Sequence, residues 1–317
     1  MLTAFLTTLE QMARIFLFIA VGFGLNRLHI LPKGAGAGIS RLVTMLLLPA
    51  LLIYSNMTEF NLANVASYGK LVLLGAFFWL IVTVCMFPVA KKLSGGDSLE
   101  RGVYLYGLSF PNTGAVGTPL ALAILGTTGL FEFNLLLTIV GIMTYAWGVG
   151  LFLDGERNNP VKRFFVQLMN PVFISSMVGL LLGALGAKNW MPSMVVNFVG
   201  DLAASYVPIS LLMTGYTIAD YPMGDVFRRP KSYVFTLFRL IIIPVMLLVL
   251  AWIMGLPQSI AVLLLFWIAC PCGMNVVVFP ASYGRDCKTG ASLVLISCIG
   301  SIVTMPILYA LVQYFFH

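Results

Sequence analysis

Phe110-Pro111-Asn112-Thr113-Gly114 puts a proline and an asparagine halfway along an apolar stretch, and Ala269-Cys270-Pro271-Cys272-Gly273 repeats the arrangement, with Pro271 following Pro111 by 160 residues. The chain has 317 residues, so that offset is about half its length. A proline inside a helix removes one N–H bond and presses its ring against the carbonyl four residues back. Pro111 is therefore expected to free the carbonyl of Gly107, and Pro271 that of Trp267. The residues before each proline, Phe110 and Cys270, are biased towards extended conformations. In hydrocarbon an unpaired carbonyl costs several kcal/mol, so such backbone must be buried in protein or line a wet cavity. Pro111 lies ten residues beyond Arg101, about 15 Å at helical rise, which is the middle of a ~30 Å hydrocarbon core. Two broken helices in matching positions of two half-chains point to a substrate site at the bilayer midplane of a secondary transporter.

Composition agrees. Apolar residues make up 60% of the chain and charged ones 9%, with a mean hydropathy of +0.99. A soluble domain carries charged residues near ~25%, so the expectation is an all-α integral membrane protein. The first apolar run, about 12–28, is too long for the apolar core of a signal peptide and lacks a small-residue cleavage site, so it reads as a span. The five cysteines are odd in number and lie in or near apolar runs, which argues against a disulfide framework.

A span needs about 20 mainly apolar residues. Runs between charge clusters and Gly/Pro/Asn clusters give ten, at about 9–28, 39–57, 68–90, 102–125, 131–153, 170–187, 194–217, 232–255, 258–281 and 290–314. Arg27, Lys33 and Arg41 flank the first connection, Lys91, Lys92 and Arg101 the third, and Arg157, Lys162 and Arg163 the fifth. Arg228, Arg229 and Lys231 lie at the seventh, and Arg285 and Lys288 at the ninth. Those connections hold 14 of the 18 basic residues. The positive-inside rule then makes them cytoplasmic and places both termini outside the plasma membrane. Topology, and not a nucleic-acid partner, accounts for the net charge of +7.

Five spans per half is an odd number, so two similar halves, residues 1–155 and 156–317, must insert with opposite topology. Pro49 matches Pro208, Pro111 matches Pro271 and Gly129 matches Gly290, all within two residues of one offset. The fold predicted is ten transmembrane helices in two inverted five-helix repeats, with spans 4 and 9 broken. After each break a new half-helix begins with free N–H groups and a positive dipole end. Two such ends, at Pro111, Asn112, Thr113 and Gly114 and at Pro271, Cys272, Gly273 and Asn275, can hold an anion without a buried lysine or arginine. The Asn112 amide can donate to a carboxylate. The freed carbonyls of the first half-helices could coordinate a cation, with H+ or Na+ as coupling ion.

The two motifs resemble those of the auxin efflux carrier family. Phe110-Pro111-Asn112-Thr113 followed by Gly117-Thr118-Pro119-Leu120 is similar to its fourth-helix motif. Ala269-Cys270-Pro271-Cys272-Gly273, then Phe279, Ala281 and Tyr283, is similar to its ninth. That family includes plant auxin carriers and bacterial permeases linked to malonate and malate. The resemblance implies a scaffold (spans 1, 2, 6 and 7) that forms a homodimer, and a transport part (spans 3–5 and 8–10) that slides past it as an elevator. It also implies that Asn112 contacts a substrate carboxylate where spans 4 and 9 cross. Cys272 stands where plant carriers have a longer amide side chain. The long cytoplasmic loop of many plant members is reduced to Asp154–Met169, as in bacterial-type members.

Other candidates fit less well. Cys270-Pro271-Cys272 with Asp286-Cys287-Lys288-Thr289-Gly290 echoes copper-pumping ATPases, whose large nucleotide-binding domains have no counterpart in loops this short. Gly34-Ala35-Gly36-Ala37-Gly38 is a flexible turn, with no Gly-Lys-Ser/Thr after it to make a phosphate loop. The only histidines, His29 and His317, leave no His-based catalysis or zinc site in the membrane, and no enzyme activity or cofactor is expected. Arg239, about seven residues into the eighth span, and Asp201, near the outer end of the seventh, are candidate charge partners. Glu132 lies near the outer end of its span, and Glu10 and Arg14 have i,i+4 spacing. A sodium-coupled carrier of bile-acid-symporter type and a non-transporting membrane sensor are the rival readings. The sensor would be expected to carry a soluble signalling domain, and none is apparent.

Overall fold

The computed structural model describes residues 2–32, 35–152, 165, 171–219, 227–282 and 288–316. Among them the chain is all helix, with two extended residues that pair at a single point. Lys33, Gly34, Arg157, Lys162, Arg163, Tyr283, Arg285, Asp286, Cys287 and His317 lie outside the described residues, as does all of the connection at 154–169 except Phe165.

Twelve helices carry the argument: α1 (Leu2–Arg27), α2 (Ala35–Glu59), α3 (Leu62–Ser94), α4 (Ser98–Ser109), α5 (Thr113–Leu136), α6 (Thr138–Phe152), α7 (Pro171–Ala184), α8 (Ser193–Ala219), α9 (Pro230–Ile253), α10 (Gln258–Ile268), α11 (Asn275–Ser282) and α12 (Lys288–Phe315). Seven of the described helices are long and apolar enough to cross a bilayer, namely the described part of α1 from Leu9, together with α2, α3, α5, α8, α9 and α12. Helices α6, α7 and α10 are apolar but shorter. The fourth and ninth expected runs are each split into two helices, α4/α5 and α10/α11, at the two proline motifs. A second break falls inside α5, at Gly126, whose φ of 69° is left-handed and open to glycine at little cost. That bend stands one residue past the expected end of the fourth run, at 125.

Proline shapes the intact helices too. Three π turns, Val43–Leu47, Thr113–Gly117 and Phe238–Ile242, each end two residues before a proline, at Pro49, Pro119 and Pro244. The wider turn makes room for the ring and re-routes the carbonyl that has lost its donor. Pro208 differs, since α8 runs through it without a break.

Two helix pairs approach with backbone against backbone. A Cβ at Gly22 of α1 would fall on the carbonyl oxygen of Leu212 in α8, and one at Gly215 of α8 on that of Ile19 in α1. In the other pair a Cβ at Gly179 of α7 would lie 2.9 Å from Ile53 Cα and 2.8 Å from Asn56 Cβ of α2. Without a hydrophobic drive between helices in lipid, such small-residue contacts are what pack them. Asn56 Nδ2 also donates to the Ser176 carbonyl at 3.1 Å, and Asn26 Nδ2 to that of Tyr216 at 2.8 Å. Helices α5, α9 and α12 pack against α10, which is buried on every side from Ala261 to Ile268, as a helix apolar all round should be. At the surface Glu10 and Arg14 form the expected i,i+4 pair at 3.4 Å.

Gly22→Ala should overpack the α1–α8 contact and cost about 1–3 kcal/mol. Gly69→Ala, at an exposed α3 position with open space around it, should be neutral or stabilising by up to ~1 kcal/mol. Thermal melting of the detergent-purified variants separates the two.

Candidate functional site

The two breaks meet. Phe110 leaves α4 in an extended conformation (φ −126°, ψ 91°), as a residue before proline should. Pro111 then pairs antiparallel with Cys272, and the Asn112 N–H donates to the Pro271 carbonyl at 2.8 Å. Gly273 sits under this crossing: a Cβ there would lie 3.4 Å from the Phe110 carbonyl oxygen and 3.6 Å from the Asn112 nitrogen. Glycines at 107 and 117 let the strands close. A Cβ at Gly107 would meet Phe235 at 2.9 Å and Cys272 Sγ at 3.0 Å, and one at Gly117 would meet the Phe266 carbonyl at 2.9 Å.

Both ongoing half-helices start here. Asn112 caps the first, its Oδ1 accepting from the Ala115 N–H at 3.3 Å. Thr113 N–H bonds the Pro111 carbonyl at 2.9 Å, and Val116 N–H that of Asn112 at 3.2 Å. The Asn112 Nδ2 is shielded from solvent and has no partner among the described residues, although the residue as a whole is half-buried. At the second half-helix the Cys272 N–H donates to Ser297 Oγ of α12 at 2.9 Å. The N–H groups of Gly273 and Met274 have no partner among the described residues. A buried donor without an acceptor costs about 1–3 kcal/mol, and the shielded Asn112 Nδ2 is such a donor at the crossing.

Pro111, Asn112, Thr113, Gly114, Pro271, Cys272, Gly273 and Asn275 are thus brought together, but not in equal roles. Cys272 is fully buried, so it contributes backbone and not a side chain to any exposed surface. Asn275 is half-buried and donates through Nδ2 to the Tyr106 hydroxyl at 2.9 Å. Tyr106 lies in an aromatic cluster with Phe110, Phe152 and Phe279, at centroid distances of 4.8, 5.4 and 5.7 Å. Arg239 lies under the crossing and touches both α4 and α10. Asp201 is exposed on α8, five residues before Tyr206. Glu132 is half-buried in the second arm of α5, past Gly126.

Three residues at the crossing escaped sequence reading. Tyr206 of α8 donates from its hydroxyl to the Gly114 carbonyl at 3.2 Å, reaching out from the helix pair α1–α8. Its position two residues before Pro208 was the available signal. Ser297 and Tyr106 were hidden in apolar runs, where a lone serine or tyrosine is no marker by itself. Arg239 was found, but its carbonyl partners were not.

Ser297→Ala should leave the buried Cys272 N–H unpaired and cost about 1–3 kcal/mol. Ser297→Thr, which keeps an acceptor, should restore most of it. Melting temperatures of the two variants give the comparison.

No curated protein matches this sequence at a significant level. A family model described as membrane transport protein matches residues 7–309, nearly the whole chain. Members of that family are membrane transporters and not enzymes. With its two proline motifs crossing inside an all-helical membrane protein, the chain belongs to the membrane transport protein family of auxin efflux carriers.

Proposed function

We propose that this protein is a secondary active transporter that moves a small organic anion, a carboxylate, across the plasma membrane by elevator-type alternating access. The observation that carries the reading is the shielded, unpartnered Asn112 Nδ2 at the crossing of two broken helices, where the N–H groups of Gly273 and Met274 also have no partner among the described residues. Converging donors at helix N-termini suit an anion, and the uncharged amide and peptide donors release it more readily than a buried lysine would.

The finer architecture in this reading is ten spans in two inverted repeats, residues 1–155 and 156–317, with both termini outside. The close helix contacts support it. Gly22 touches Leu212, and Gly179 touches Ile53. Gly179 follows Gly22 by 157 residues, and Leu212 follows Ile53 by 159. The contact α1–α8 is therefore the contact α7–α2 with the halves exchanged, as a two-fold relation requires. Helices α1, α2, α7 and α8 would be the scaffold and the homodimer contact, and the helices around α10 the moving part. Tyr206 then reaches from scaffold to crossing, and its bond to Gly114 must break when the moving part slides.

The test is uptake of radiolabelled malonate, malate and an aromatic acid into proteoliposomes under imposed proton or sodium gradients. Wild type should show saturable uptake of at least one acid. Asn112→Ala should lower it tenfold or more, since a hydrogen bond to a charged group contributes about 1.5–3 kcal/mol. Wild-type rates in Asn112→Ala would reduce the asparagine to a packing residue. A sodium requirement would favour the bile-acid-symporter type of mechanism on this fold.

A further inference from the structure

Arg239 is 1% exposed and sits in the π turn Phe238–Ile242 of α9. Its Nη1 donates to the Leu108 carbonyl at 2.8 Å, its Nε to that of Cys270 at 2.9 Å and its Nη2 to that of Ile268 at 2.9 Å, with a longer contact to Trp267 at 3.5 Å. Leu108 is in the last turn of α4. Trp267 and Ile268 are in the last turn of α10, and Cys270 lies just beyond it. All these partners are carbonyls, and the only ion pair among the described residues is Glu10–Arg14.

The charge count explains why a buried guanidinium is tolerated without a carboxylate. A helix C-terminus carries about half a negative charge. Two of them, brought together by the crossing, amount to about one, which a single guanidinium neutralises. Its planar fork of five N–H donors reaches both ends at once, whereas a lysine would present three donors from one point. The position related to Arg239 by the 160-residue offset is Trp79. One group, supplied by one half only, therefore serves both breaks.

We infer that Arg239 is the resident cation of the crossing. It holds the two negative helix ends together and occupies the carbonyl cage that a coupling sodium would otherwise fill. Transport through this site is consequently not driven by sodium. That last statement rests on the transport reading above; the placement of the charge does not. A second cation a few ångströms from a buried guanidinium would be repelled through a medium of low dielectric, which is the reason the two occupants exclude one another.

The primary test is thermal melting of purified wild type, Arg239→Ala and Arg239→Lys in sodium chloride or choline chloride of equal ionic strength, with and without millimolar guanidinium, far below denaturing levels. Wild type should melt at the same temperature in sodium and choline. Arg239→Ala should melt lower by about 5 °C or more and regain part of the loss with guanidinium but not with choline, while Arg239→Lys should fall between. A wild-type melting temperature in Arg239→Ala, no selective rescue by guanidinium, or stabilisation of wild type by sodium would each overturn the inference. If Arg239→Ala does not fold, the sodium arm on wild type and the Arg239→Lys comparison still decide it, since a Lys variant as stable as wild type would show that the fork is not needed. In proteoliposomes, wild-type malonate uptake should be equal within about twofold with sodium or choline outside, and a tenfold stimulation by an inward sodium gradient contradicts the sodium statement. Absence of any uptake counts against the transport reading alone, because the melting results stand without it.

Discussion

Backbone carbonyls have nowhere to turn in a bilayer, and this molecule is arranged around that constraint. A helix broken at mid-membrane leaves a C-terminal end of carbonyls and an N-terminal end of amides where no bulk water can satisfy them. Here the two breaks are superimposed. The carbonyl ends of α4 and α10 share Arg239, and the crossing strands bond through Asn112 and Pro271. Among the described residues, the donors left without a partner at the crossing include the Asn112 amide and the N–H groups of Gly273 and Met274. The negative ends meet a guanidinium from within the chain, and the positive ends keep donors without a partner among the described residues.

Packing follows from the same geometry. For two extended segments to touch, their neighbours must lose side chains, and glycine at 107, 117 and 273 meets that need. The helices that hold the crossing, α10 above all, are buried on all sides. The pairs α1–α8 and α2–α7 stand in a different regime. Their contacts run through glycines at the helix faces and leave long apolar surfaces such as Leu17, Val21, Met45 and Leu181 exposed, as lipid-facing or subunit-facing helices do. Between the two groups, the Tyr206 hydroxyl donates to the Gly114 carbonyl.

Much of this was legible in the sequence because proline leaves an unambiguous mark in an apolar run. Pro111 and Pro271 located both breaks, and the extended bias of the preceding residue anticipated Phe110. The ends of α8, α9 and α12 were legible to within two residues, whereas α1 starts seven residues and α3 six residues before the expected run; α5 runs on to Leu136, with its bend at Gly126 beside the expected boundary. The carbonyl partners were not legible. Which face of α9 Arg239 occupies depends on the π turn ahead of Pro244, a one-residue change of register that apolar periodicity does not reveal. The cysteine at 272 looked like a cavity residue by its place in the motif. It is buried because the strand pairing with Pro111 turns its side chain towards Gly107. Tyr206 and Ser297 act through long-range contacts, and nothing local distinguishes them.

The account stands or falls on where the anion lies. The decisive measurement is an experimental structure of the protein in lipid nanodiscs, with and without the carboxylate that proves to be transported, at a resolution that shows side chains. The account predicts added density at the crossing, within hydrogen-bonding distance of Asn112 Nδ2 and the Gly273 and Met274 nitrogens, with Arg239 still on its four carbonyls. Density at any other place, or a carboxylate bound directly to Arg239 after that cage has opened, would contradict it.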